Sequence, residues 1–110
     1  MANSDYADFF PSQRKTRLPG GYMGKLLRVD MTSGKLTDVN LPEEPQLRKY
    51  WGGQLFAEYV LLNELPLGID PYDAKNVIVG MTGPITGTGF TPGGTKMCFV
   101  YLSPATQYTL

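Results

Sequence analysis

A run of glycines followed by one lysine carries most of the chemistry that this sequence can perform. Residues 82 to 95 read TGPITGTGFTPGGT and hold five of the thirteen glycines, and Lys96 comes directly after them. Glycine lets a main chain approach a ligand closely and aim N–H groups at it, and a lysine beside such a loop adds a point charge. Gly93, Gly94, Thr95 and Lys96 therefore suit a flat, anionic ligand. Two nucleotide motifs have to be tested on the same residues, and neither fits. The P-loop wants Gly-Lys followed by Ser or Thr and a helix, but Thr95 separates Gly94 from Lys96 and a strand-like run follows. The dinucleotide fingerprint fails because Gly87-Thr88-Gly89 is followed three residues on by Pro92. A long hairpin connection that binds nothing is the plainer alternative for this loop.

Other reactive groups are scarce. There is no histidine and one cysteine, Cys98, which excludes a catalytic triad, a zinc site built on imidazole and a disulfide framework. Cys98 stands two places after Lys96, so an extended strand puts both on one face, but a small buried apolar role is its ordinary reading. Ten basic and ten acidic residues cancel, which gives no electrostatic footprint for nucleic acid or an anionic membrane. The first twenty residues contain no apolar run that would serve as the core of a signal peptide, so a cytoplasmic location is expected.

Hydrophobic periodicity supplies the elements that must position the loop. Residues 1–20 mix polar, basic and proline residues and read as an arm, either a free tail or a segment that docks Tyr6, Phe9 and Phe10 on another subunit. Alternation over Lys25–Met31 sets Leu27, Val29 and Met31 on one side, answered by Thr37, Val39 and Leu41 across a Thr32-Ser33-Gly34 turn. Pro42 to Pro45 then opens a helix carrying Leu47, Tyr50 and Trp51, and Gly52-Gly53 breaks it. A second helix over Gln54–Leu65 is apolar nearly all round, which predicts burial, and it is too short to span a bilayer. Tyr50, Trp51 and Tyr59 fall at helical spacing and are expected in the core. Strands are expected over Asn76–Met81 and Lys96–Leu102, flanking the glycine-rich loop. The resulting fold class is α+β, with a mixed β-sheet, an N-terminal hairpin and a broken helix pair, over one domain of residues 21–110.

The motifs occur in a recognisable order: GKLLRVDMTSGKL, LRKYWGGQ, IDPYDAKNVIV, MTGPITGT and TPGGTKM, closed by Ser103-Pro104. This series resembles the start of the tungsten-containing aldehyde:ferredoxin oxidoreductases, including formaldehyde-oxidising members, and is similar to the catalytic subunit of the ATP-independent, class II benzoyl-CoA reductases. The resemblance covers roughly Gly21 to Pro104. It implies a tungsten or molybdenum ion held by two pterin dithiolenes, beside a [4Fe–4S] cluster that passes electrons to a ferredoxin-like carrier. The N-terminal domain of such proteins forms a base for the cofactor, with a cation after the glycine-rich turn, which maps onto Lys96. Two departures stand out: the family's GGRG is here Gly52-Gly53-Gln54-Leu55, and Thr95 intervenes between Gly94 and the cation.

A cluster needs several thiolates, so it must be ligated outside this chain. The implied partner is a large cysteine-containing catalytic subunit or the remainder of the same polypeptide. The implied reaction of the whole is oxidation of an aldehyde to a carboxylic acid, or the reverse. A non-catalytic assembly subunit derived from the same domain is the alternative from another class, and an autonomous small-ligand binder is a third.

Overall fold

The computed structural model describes residues 6, 9–15, 17, 20–89 and 96–106. Its elements run β1 (Lys25–Asp30), β2 (Lys35–Asn40), α1 (Glu44–Tyr50), α2 (Gly53–Glu64), β3 (Ile78–Thr82) and β4 (Met97–Tyr101). The α+β class, the hairpin, the broken helix pair and the two later strands all appear where expected. The sheet is divided, however: β1 pairs only with β2 and β3 only with β4 among the described residues, both antiparallel, in place of one mixed sheet.

The first hairpin turns on Asp30. Its carboxylate accepts the N–H groups of Thr32 at 2.9 Å and Ser33 at 3.4 Å, and these two bonds hold its pKa below the usual carboxylate range. Gly34, at φ 72°, donates its N–H to the Asp30 carbonyl. Met31 thus joins the loop, and Asp30 pairs with Lys35. Taking one more residue into the loop shifts the register by one, which moves Val39 to the opposite face from the one expected. Leu26 opposes Val39 and Arg28 opposes Thr37 on the inner face; Leu27 opposes Asp38 and Val29 opposes Leu36 on the outer face, where Leu27, Val29 and Leu36 are exposed.

Both helices pack through single faces. α1 carries proline in its first turn and an Arg48–Glu44 ion pair one turn apart. α2 buries Phe56, Ala57, Val60 and Leu61, whereas Leu55 and Leu62 stay 52% and 63% exposed. The expected burial all round therefore holds for one face only, because the second hairpin covers α2 from one side. Val79, Met81, Cys98 and Val100 supply the inner face of that hairpin, and the Cys98 thiol donates to the Met81 carbonyl at 3.5 Å. Cys98 is a packing residue.

The described residues of the N-terminal arm take neither of the two expected forms. Phe9 is 2% exposed in the core, its ring 4.8 Å from Tyr59 and 5.5 Å from Phe56. Arg14 donates to the carbonyls of Leu41 and Pro42, and the Asn40 amide donates to those of Pro11 and Ser12. The arm therefore acts as mortar between β1–β2 and α2. Glu64 completes the joint, accepting from the Tyr6 hydroxyl at 2.7 Å and from both terminal nitrogens of Arg28.

Burial and the neighbouring Glu64 carboxylate push the Tyr6 hydroxyl well above the ordinary tyrosine value of 10.0. A raised folded-state pKa means that Tyr6 contributes stability below pH 10 and loses it as pH rises further. Tyr6→Phe should cost about 1 kcal/mol at neutral pH and flatten the decline of stability above pH 10. Urea melts at pH 7 and pH 11 test both effects; equal slopes for the two proteins would remove Tyr6 from the joint.

Candidate functional site

The site is assembled where three glycine-containing segments meet. Gly21, at φ 91°, lies so close to the turn after β3 that a Cβ there would stand 2.5 Å from the Pro84 carbonyl oxygen. A Cβ on Gly52 would meet the Thr82 oxygen at 3.0 Å and the Gly83 Cα at 3.3 Å. The Gly21 contact is with backbone, which cannot rotate aside, so the close approach depends on glycine there; a Cβ on Gly52 would be tight and would need the turn to yield by a few tenths of an ångström. The turn itself is held by Thr86, whose hydroxyl accepts the Gly83 N–H at 3.1 Å, and by Thr88, whose hydroxyl donates to the Ile85 carbonyl at 2.7 Å.

Between these segments runs an open groove of about 540 Å³, lined by residues 20–22, Leu47, Arg48, Trp51, Pro84, Ile85 and Thr88. Trp51 is 64% exposed at its edge, contrary to the core position expected from helical spacing. The cause is local: Trp51 ends α1 at φ 62° and ψ −80°, its N–H bonded to the Leu47 carbonyl, and this left-handed turn swings the indole away from the core. Tyr22 steadies the turn by donating its hydroxyl to the Trp51 carbonyl, and burial raises its pKa so that it remains a neutral donor. Tyr50 and Tyr59 do pack inside as expected, stacked at 4.0 Å.

Lys96 is exposed and stands directly before Met97, which pairs with Thr82. The cation therefore lies at the same end of the β3–β4 hairpin as the Gly83-Pro84 turn that walls the groove. Gly93, Gly94 and Thr95 lie outside the described residues. Gln54, which follows the Gly52-Gly53 pair, bonds its own helix through Glu58 at 2.7 Å. No group of three or more Cys, Asp or Glu side chains among the described residues could hold a metal ion. No helix among them is long and apolar enough to cross a membrane.

Gly21 and Tyr22 were not singled out by motif reading, and Trp51 was expected in the core. The paired glycines Gly20-Gly21 and Gly52-Gly53 were the available signal, since each doublet marks a place where backbone can pack on backbone. A second hollow of about 470 Å³ lies over Leu62, Leu67 and Leu102, but its one carboxylate, Asp70, already accepts the Tyr72 N–H at 2.8 Å.

Residues 26–110 match the family model described as aldehyde ferredoxin oxidoreductase, N-terminal domain. Among individual relatives, the chain is 39% identical over 88 residues to a tungsten-containing aldehyde ferredoxin oxidoreductase of Pyrococcus abyssi, covering 80% of this chain and 14% of the relative. It is 40% identical over 86 residues to the WOR-like subunit of an aliphatic sulfonate oxidoreductase of Pyrococcus furiosus, covering 76% and 13%. A tungsten-containing aldehyde ferredoxin oxidoreductase of Thermococcus kodakarensis is 35% identical over 89 residues, again covering 80% and 14%. No solved structure matches. The chain thus spans about one seventh of the length of the relatives it matches, and with the family model covering most of its residues it belongs to the aldehyde ferredoxin oxidoreductase family, as that family's N-terminal segment.

Proposed function

We propose that this chain forms part of the base for a tungsten or molybdenum bis-pterin cofactor in an aldehyde-oxidising holoenzyme, with the [4Fe–4S] cluster ligated by another polypeptide or by a remainder of the same one. The observation that carries the reading is the groove formed where Gly21 and Gly52 approach the Thr82-Gly83-Pro84 turn, at the end of the β3–β4 hairpin that Lys96 also occupies. The volume of the groove lies in the range of ordinary ligand clefts.

When bound, the cofactor supplies two-electron chemistry between an aldehyde and a carboxylic acid, in either direction, with a ferredoxin-like carrier taking or giving the electrons. The chain's own residues bind and orient. Lys96 neutralises an anionic group at the loop end of the hairpin, and Tyr22 holds the Trp51 turn that forms the opposite rim; Gly93, Gly94 and Thr95 keep the cofactor-binding role that their types suggest.

Lys96→Ala in the assembled complex should lower tungsten or molybdenum retained through dialysis by about tenfold, the scale of one charge-assisted hydrogen bond, with Lys96→Arg retaining most of it. Metal analysis by mass spectrometry reads this without reference to turnover. Unchanged metal content in the alanine variant would remove Lys96 from the site.

A second reading is favoured by one feature: Gln54, held on Glu58, offers no cation where the family has arginine. On that reading the chain is a non-catalytic assembly subunit. Complexes purified with and without the chain would then contain equal metal.

A further inference from the structure

Among the apolar side chains that face outward in the described residues, three groups lie on helices or strands: Leu27, Val29 and Leu36 on the first hairpin, Leu55 and Leu62 on α2, and Ile78, Met97 and Phe99 on the second hairpin. The last differs in kind. Its face comprises the cross-strand pairs Ile78 with Tyr101, Gly80 with Phe99 and Thr82 with Met97, and none of the six is charged. By contrast, the first hairpin's outer face carries the Lys25–Asp38 ion pair at 3.0 Å, and α2 carries Gln54 bonded to Glu58 beside Leu55.

Gly80 makes the uncharged face flat. A Cβ there would lie 2.7 Å from the Met97 methyl and 2.8 Å from a Phe99 ring carbon, so both side chains fold across the glycine and close the gap it leaves. Met and aromatic enrichment with charge depletion marks the centre of protein interfaces rather than free surface. β3 and β4 pair only with each other among the described residues.

We propose that this outer face, Ile78, Met97, Phe99 and Tyr101 over Gly80, is the docking surface for the remainder of the family polypeptide, the part that follows the N-terminal segment. This inference rests on the reading above that the chain works as part of a larger holoenzyme. Two observations select that occupant over a second copy of the chain. The chain aligns with only 14% of a relative's length, so the relatives carry a large body of polypeptide beyond the matched segment. The face is also continuous with the proposed cofactor end, because its last pair, Thr82 with Met97, adjoins both Lys96 and the Gly83-Pro84 turn. A body seated there therefore lies against that end.

The test co-expresses the full chain, tagged, with the Pyrococcus abyssi relative from which the matched N-terminal stretch has been deleted. Wild-type chain should capture it, and Phe99→Lys and Ile78→Lys should each weaken the pair about thirtyfold, the scale of an interface hot spot. Leu36→Lys on the first hairpin should change affinity less than threefold, and far-UV circular dichroism with thermal melts should show all three variants folded, since the residues are exposed. Failure of the wild-type chain to bind, or loss of binding in Leu36→Lys with retention in Phe99→Lys, overturns the proposal. So does a homodimer in sedimentation that Phe99→Lys dissolves, because the occupant is then a second copy. Tungsten measured in the captured pair separates the two readings: a pair that forms through this face without metal keeps the docking surface and sinks the cofactor role.

Discussion

Phe9→Ala is expected to lower the stability of the isolated chain by about 3–5 kcal/mol, the cost of truncating a buried phenylalanine to alanine. The ring is 2% exposed, and besides Phe56 and Tyr59 it touches Phe10 at 5.0 Å and Tyr50 at 5.7 Å, so its removal leaves a void that five-membered packing cannot collapse without moving α2. A domain of 110 residues has a total stability on the order of 5–15 kcal/mol, so this one change removes a large fraction of it. Urea titration followed by circular dichroism measures the loss. Phe10→Ala, at a half-buried position in the same cluster, should cost distinctly less. A change below about 1 kcal/mol for Phe9→Ala would return the arm to the status of a peripheral tail.

That result bears on how much of the molecule was legible in its residues. Local pattern located every element within a few positions, because alternation over Lys25–Asp30 and helical spacing over residues 44–64 are properties of adjacent residues. The sidedness of the first hairpin was not legible. It depends on whether Met31 belongs to the strand or the loop, and only the Asp30 carboxylate's grip on Thr32 and Ser33 decides that. The arm was misread for a related reason: a polar segment with two phenylalanines is ambiguous until the cavity between α2 and the first hairpin is seen to need a ring.

The candidate site divides the same way. Lys96 and the glycine-rich loop were visible as composition, since a run of glycines next to a cation is a property of adjacent residues. The opposite wall was not, because Gly21, Gly52 and Pro84 come together only through tertiary packing across segments far apart in the chain. Trp51 shows the limit most clearly. Its spacing in α1 gives a core position, and a single left-handed residue at the helix end reverses that outcome.

Gly21→Ala is the sharpest test of that wall. Two separable effects act at this residue. The first is conformational: at φ 91° an alanine is strained by roughly 1–2 kcal/mol in any surroundings. The second is the added methyl itself, which would stand 2.5 Å from the Pro84 carbonyl oxygen and 3.2 Å from the Pro84 carbonyl carbon and Cβ, forcing the Gly20–Tyr22 segment off the turn at a further cost of roughly 1–3 kcal/mol. Gly34→Ala isolates the first effect, because Gly34 sits at φ 72° with nothing within 4 Å of its would-be Cβ. The two variants should therefore differ by the contact term alone. Trp51 is the sole tryptophan and lies on the rim, with its carbonyl bonded to the Tyr22 hydroxyl, so its emission should shift in Gly21→Ala and stay unchanged in Gly34→Ala. In the assembled complex, Gly21→Ala should also release tungsten or molybdenum with Lys96 intact, which places the loss on the shape of the cradle and not on its charge. Equal stabilities for the two alanine variants, with Trp51 emission unmoved in both, would show that Gly21 does not press on Pro84 and that the groove is not built as described.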